Sequence, residues 1–503
     1  MTGAIHAREL RAMWRERREV ALFDAREEGP YAEAHPFFAV SLPLSKIELA
    51  LPALVPRRET PVVVYDNGEG LAEEAGRRIA GLGYADVRRL EGGLSGYAAE
   101  GELFRDVNVP SKAFGELVEA IRGTPSLAAT EVKRLLDERA DMVVVDVRRF
   151  EEYQAMSLPT AISVPNGELA LRARSIVPSP ETLVVVNCAG RTRSIIGTQT
   201  LVNAGIPNRV AALRNGTIGW TLAGFGLEHG ASRRFPESAE GREAARAAAV
   251  RLAEKAGVRV IRELPRESER TIYRFDVRTP EEFRAGHPEG FRSAPGGQLV
   301  QATDEWAAVR GAWIVLFDDD GVRARMTGSW LAQMGWDVAV IEAELPMVTD
   351  APRATAPGDI TAEELARRGE AVVVDLAASP AYEKGHIPGA WFLIRSRLGE
   401  DAGKLPEGEV VLTSPDGWLA AHAAHELGRP VRVLAGGTAA WAAAGYALEA
   451  GRERMLSPAI DVYKRPYEGT DNSAEAMRAY IEWELHLVAQ MANDGIANFR
   501  VLR

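Results

Sequence analysis

The sequence predicts an α/β protein of four tandem units, each a mostly parallel sheet flanked by helices, followed by a C-terminal helical extension. Three spacings predict it. Four times an apolar strand runs into an aspartate, at Asp24, Asp146, Asp276 and Asp375, and 11 residues on stand His35, Ser157, His287 and His386. A second apolar strand then ends at Asp66, Cys188, Asp318 or Ser414, which follows the aspartate by 42 residues in three units and by 39 in the fourth. A chain of 503 residues has room for such a repeat, because single cores stop growing beyond about 250–300 residues.

Each element has a local reason. The first strands, Ala21 to Asp24, Met142 to Asp146, Ile272 to Asp276 and Ala371 to Asp375, are short and rich in apolar and β-branched residues. The second, Val62 to Tyr65, Leu183 to Asn187, Trp313 to Phe317 and Val410 to Thr413, are the near-continuous apolar runs of buried parallel strands. A glycine-containing loop then opens a helix that closes at Gly83, Gly205, Gly335 or Gly428, where glycine takes the left-handed cap. A third strand and a small-residue turn with an aromatic follow, Gly92 to Tyr97, Asn215 to Trp220 and Gly436 to Trp441; the third unit lacks this turn. Strands alternating with helices over short connections imply parallel pairing and right-handed crossovers.

The units therefore span residues 1–104, 120–232, 250–346 and 356–452, with the extension over 456–503. Between them lie a junction around Phe104 to Pro125, an alanine-, arginine- and glutamate-rich helical connector from Pro236 to Ala256, and a proline-marked linker from Pro346 to Pro357. In the extension, Asp471, Asn472 and Ser473 can cap a helix whose apolar stripe is Met477, Tyr480, Ile481, Leu485, Val488 and Met491. That stripe is expected to pack on one of the units, a homodimer contact being the alternative.

Composition narrows the function. No apolar run approaches the 18 or so residues of a membrane helix, so no membrane is expected. The charged start from Met1 to Arg18 has no signal-peptide core, which points to the cytoplasm. A net charge of −11 repels a phosphate backbone, so no nucleic-acid partner is expected. One cysteine, Cys188, excludes an intrachain disulfide and a cysteine-rich zinc site. His422 and His425 sit three apart on a helix but lack further ligands nearby, so no metal and no cofactor are expected.

Cys188 stands at the mouth of a buried strand, in Cys188-Ala189-Gly190-Arg191-Thr192-Arg193, with Ser194 beginning the helix. Backbone N–H groups of such a loop converge at a helix N-terminus and hold an anion. A free thiol of pKa about 8.5 is a few per cent ionised at pH 7, and this setting with nearby arginines predicts a lowered pKa and a resting thiolate. Arg191 and Arg193 are planar, permanently charged donors suited to an oxyanion. Asp146 and Arg148 support the site; every unit keeps the aspartate, so a structural role is expected, as it is for His35, His287 and His386.

These spacings, with Asp146-Val147-Arg148, Gly385-His386-Ile387-Pro388-Gly389-Ala390 and the strand, cysteine, loop and helix of Val184 to Ala204, resemble the rhodanese family of sulfurtransferases. In particular they resemble its multidomain bacterial thiosulfate sulfurtransferases built of tandem modules. The resemblance implies compact α/β domains that carry sulfur as a cysteine persulfide. Only the second unit keeps the cysteine, so units one, three and four are expected to be inactive, with Asp66, Asp318 and Ser414 in its place.

The expected reaction has Cys188 attack the outer sulfur of thiosulfate. Sulfite leaves, stabilised by Ala189, Gly190, Arg191, Thr192, Arg193 and Ser194, and cyanide or a thiol then takes the sulfur. A 3-mercaptopyruvate sulfurtransferase and a persulfide relay or docking scaffold working with a protein partner are the alternatives. A cysteine phosphatase, with arginine after five residues, fits less well because Arg193 comes after four.

Overall fold

The computed structural model describes residues 3–237, 240–265, 270–351, 354–368 and 371–503. Small parts of the predicted segments lie outside the described residues: 1–2 of the charged start, 238–239 and 352–353 of the connectors, 266–269 of unit three and 369–370 of unit four.

Each of the four predicted units contributes one main sheet, and the described residues hold two further two-stranded sheets, His35–Pro36 with Leu103–Phe104 and His287–Pro288 with Met347–Val348. In the main sheet of the second unit, strands Ile162–Ser163, Met142–Asp146, Leu183–Asn187, Val210–Leu213 and Ser126–Leu127 lie side by side in that order, all parallel. The first, third and fourth sheets repeat its centre, with Val20–Asp24 beside Val62–Tyr65, Ile272–Asp276 beside Trp313–Phe317 and Val372–Asp375 beside Val410–Thr413. The register is the same in all four, although the connection is three residues shorter in the fourth: Asp24, Asp146, Asp276 and Asp375 pair across their sheets with Tyr65, Asn187, Phe317 and Thr413. Each partner is the residue just before Asp66, Cys188, Asp318 or Ser414, and a one-residue slip would turn every buried side chain to the wrong face.

Units one and three are fused. Strand Val309–Arg310 of unit three adds antiparallel to Val20–Asp24 of unit one, and one apolar cluster runs through both, from Phe23, Val62 and Ile79 to Phe275, Ile314 and Leu331. Unit four has cores of its own and is tied to unit one by buried Arg395, which donates to Glu48 at 2.7 and 3.0 Å. As expected, the short helix after the third strand, present at Gly93–Ala98, Gly216–Leu222 and Gly437–Ala443, is missing from unit three.

Two of the connectors hold helices. Arg242–Ala256 is the expected helix, and the junction between units one and two also holds a helix, Val109–Arg122. In the extension Ser473 accepts from the Ala476 N–H and opens the helix Ala474–Asp494. Its buried face differs from the predicted stripe: Leu485 is 54% exposed and Val488 half-buried, whereas Trp483, Glu484 and Leu487 are buried with Met477, Tyr480, Ile481 and Met491. The true stripe rotates because the helix lies against Val109–Arg122 of its own chain, and buried Arg11 fixes its end by a 2.7 Å ion pair to Asp494. Among the described residues no helix is long and apolar enough to cross a membrane.

Candidate active site

Cys188 follows strand Leu183–Asn187 directly, and helix Thr192–Ala204 begins four residues later. Its Sγ–H donates to the Ser194 hydroxyl at 3.4 Å, and that hydroxyl donates to the Arg191 carbonyl at 2.9 Å. The Ser194 N–H also reaches the sulfur. The same six-residue contact recurs in every unit: the Ala72 N–H donates to Asp66 at 2.9 Å, Ala324 to Asp318 at 2.9 Å and Ala420 to Ser414 at 3.3 Å. Where the cysteine is absent, an oxygen of the chain itself thus fills the anion position at the helix N-terminus. In unit three Asp318 also accepts from the Gly321 N–H, and Asp320 takes the N–H groups of Val322 and Arg323. The N–H groups of this loop are thus already taken by carboxylates of the chain itself.

Beneath the loop, the Thr217 N–H donates to the Cys188 carbonyl at 2.9 Å and the Ile218 N–H to the Ala189 carbonyl at 3.0 Å. Gly216, at φ +55°, makes this approach feasible, since a Cβ there would lie 2.3 Å from the Cys188 carbonyl oxygen. Gly93 and Gly437 make the same approach to Asp66 and Ser414.

Asp146 and Arg148 form a buried scaffold. Asp146 accepts from the Arg148 side chain at 2.9 and 2.7 Å and from the Asn187 amide at 2.8 Å, so it fixes the residue before the cysteine. Arg148 also donates to the Met156 carbonyl, next to Ser157. Arg26 with Asp24 and Arg278 with Asp276 repeat the pair and donate to the carbonyls preceding His35 and His287. Those histidines are buried and stacked on Tyr31 and Phe283, at 4.2 and 3.8 Å between ring centroids; His386 stacks likewise on Tyr382. Among the described residues, including His422 and His425, no group of histidine, cysteine, aspartate or glutamate is placed to hold a metal ion.

The two loop arginines have different partners. Arg193 is buried and its guanidinium donates to both oxygens of Glu152, at 2.8 and 2.9 Å, while its charge acts on Cys188. Burial works to raise Glu152, yet Arg193, with Arg148 and Arg149, holds it down at about 2. Arg191 is committed to Glu116 at 2.7 and 2.8 Å, to Glu119 and to Asn215 at 3.1 Å. Both carboxylates belong to the helix Val109–Arg122, which approaches so closely that a Cβ on Gly115 would lie 2.8 Å from Thr192.

The expected resting thiolate is corrected by the tertiary structure. Cys188 is 1% exposed, and burial pushes its thiol up, outweighing the lowering by Arg193 and by the hydroxyl and N–H of Ser194; the charge of Glu484 pushes the same way as burial. Desolvation penalises the charged form more than one buried, already paired cation can recover.

The C-terminal extension covers the loop, a contribution no local motif announced. Glu484 accepts from the Tyr480 hydroxyl at 2.9 Å and from Thr192 at 3.3 Å through Oε1, and Tyr480 and Glu484 both close over Gly190. Buried Lys112 pairs with Asp106 at 2.5 Å among the rings of Tyr467, Tyr480 and Trp483. On either side of Tyr467 lie cavities of about 250 and 190 Å³, the first lined by Thr217 and Ile218, the second by Glu152 and Arg149. Cys188 lines neither.

Comparison with known proteins agrees with this geometry. The family described as Rhodanese: Rhodanese-like domain matches residues 6–100, 128–223 and 361–444, together more than half of the chain. A crystal structure of thiosulfate sulfurtransferase from Pseudomonas aeruginosa is 54% identical, with a TM-score of 0.95 and coverage of 100% of both chains. An HTH-type transcriptional regulator of Mycobacterium tuberculosis is 31% identical over 112 residues, which span 22% of this chain and 49% of that relative. The chain thus matches about half the length of that curated relative.

Proposed function

Since the chain belongs to the rhodanese family, we propose that it is a thiosulfate sulfurtransferase working through Cys188 alone. Its modules are proposed to span residues 1–104, 120–232, 250–346 and 356–452, with only the second carrying the reagent. The observation that supports this best is the six-residue contact repeated at the four helix N-termini: the Cys188 sulfur stands where the other modules put a carboxylate or hydroxyl of their own. A sulfur at that position has Arg193 and the donors of Ser194 beside it for the negative charge that develops on it during the reaction.

In the first step the Cys188 sulfur attacks the outer sulfur of thiosulfate as the thiol proton passes to the departing sulfite. The S–S bond breaks, sulfite departs with the bonding pair, and Cys188 is left as a persulfide. Ser194 and Arg193 carry the charge of the sulfur, and the N–H groups of the loop carry that of the donor. In the second step a thiol or cyanide attacks the outer persulfide sulfur and Cys188 leaves as thiolate. Arg191 contributes by holding the loop to Glu116 and Glu119.

The test is intact-mass measurement of the full chain after incubation with thiosulfate. A gain of one sulfur atom in the wild type and none in Cys188→Ser is expected, with sulfite released over many turnovers once cyanide is added. An unchanged wild-type mass, or sulfur uptake by Cys188→Ser, would overturn the reading.

A further inference from the structure

Outside module two, the C-terminal helix places one chemically unspent group on the thiol loop. Glu484 is 1% exposed, and its Oε1 is satisfied by Tyr480 and Thr192, but its Oε2 is buried without a hydrogen-bond partner. A buried acceptor left unpaired costs about 1–3 kcal/mol and asks for a ligand or a proton. Oε2 faces the loop: a Cβ on Gly190 would lie 3.3 Å from it, so glycine there lets the carboxyl come close to the loop backbone without crowding. The charge of Glu484 is also felt at Cys188.

We propose that Glu484 is a specificity-determining residue of this site: in its neutral form it offers an Oε2 proton to the anionic end of the sulfur donor, and in its ionised form it repels that anion. This rests on the sulfur-transfer reading above. The proton belongs on Oε2 because Oε1 already accepts two hydrogen bonds. Neutral and ionised forms are both accessible near neutrality. Burial and the charge of Glu116 push Glu484 up to about 7, against Lys112, the Tyr480 hydroxyl and Arg191. Those groups, with Cys188 on the loop, are the charged and titratable side chains facing it from the helix Val109–Arg122, the loop and its own helix. A fixed carboxylate so close to the thiol would oppose both the thiolate and a dianionic donor. A carboxylic acid there assists the donor instead.

The experiment is steady-state sulfur transfer by the full chain, with thiosulfate as donor, from about pH 6 to about pH 8.5. The wild-type KM for thiosulfate is expected to rise about ten-fold across that range, with kcat changing less. Glu484→Gln, an amide donor at every pH, is expected to keep its KM within about two-fold throughout. Tyr480→Phe removes a hydrogen bond that holds Glu484 down, so the KM midpoint moves to higher pH; it serves also if the glutamine variant fails to fold. A KM of Glu484→Gln that rises in step with the wild type, or a midpoint in Tyr480→Phe that stays or falls, overturns the role of Glu484. A pH-independent wild-type KM overturns it too, while leaving sulfur transfer standing. A wild type that takes up no sulfur overturns both.

Discussion

Glu152 holds Arg193 by both carboxylate oxygens, at 2.8 and 2.9 Å, and Glu282 holds Arg323 in the same way in module three, at 2.6 and 2.9 Å. Modules two and three thus share the pair, although module three has no thiol. In module two it also aims a buried cation at the sulfur.

The pair has a pH signature. Glu152 falls from an ordinary 4.5 to about 2 in the fold, which corresponds to about 3 kcal/mol of stability as an upper value. A depressed carboxylate stabilises the fold fully above pH 4.5 and loses that contribution as pH falls toward 2. Glu152→Gln is expected to lower the unfolding free energy by about 2–3 kcal/mol at neutral pH, and by less at about pH 3. Denaturant titrations at the two pH values check this; an equal deficit at both contradicts it.

Arg193→Ala removes the cation nearest in charge to the thiol. Sulfur transfer from thiosulfate should fall at least about ten-fold in kcat/KM, or at least about 1.4 kcal/mol of transition-state stabilisation. A change below about two-fold would show that the charge has no part in the reaction.

Gly216 supports the loop from below. Gly216→Ala forces a Cβ to 2.3 Å from the Cys188 carbonyl at a φ of +55°, and should cost about 2 kcal/mol or more together with a loss of sulfur uptake. Gly93→Ala makes the matching clash at 2.4 Å under Asp66. That variant should lose stability while folded molecules keep wild-type uptake on Cys188, as intact mass would show. Equal uptake by both variants would mean that the loop tolerates displacement.

Asp318→Cys rebuilds a thiol in module three but leaves Asp320 on the N–H groups of Val322 and Arg323, with Asp319 beside Arg323. Combined with Cys188→Ser, it should acquire no persulfide from thiosulfate. A sulfur adduct on that double variant would show that the acidic loop is no barrier.

The repeat and the lone thiol at the end of its second strand were readable because both are local. The recurring aspartate and thiol positions, 42 residues apart in three units and 39 in the fourth, sit on one strand register, Asp146 opposite Asn187 and its three counterparts. The missing turn of unit three and the connector helix Arg242–Ala256 were readable for the same reason. Glu152, six residues past Asp146, escaped notice although Glu282 stands six past Asp276 with Arg323 matching Arg193. Glu484 left a fainter trace. It lies among Tyr480, Ile481, Leu487 and Met491 at helical spacing, a charged residue inside a buried face.

By itself the sequence determined the α/β repeat, the family resemblance and the identity of the single thiol, since each depends on residues a few positions to some forty apart in one module. The tertiary structure decided the state of that thiol and the use of its arginines. Glu116 comes from the helix before the module and Glu484 from nearly 300 residues after Cys188. Their packing dries the sulfur and ties down Arg191, and no local pattern carries the dielectric of an environment assembled from distant segments.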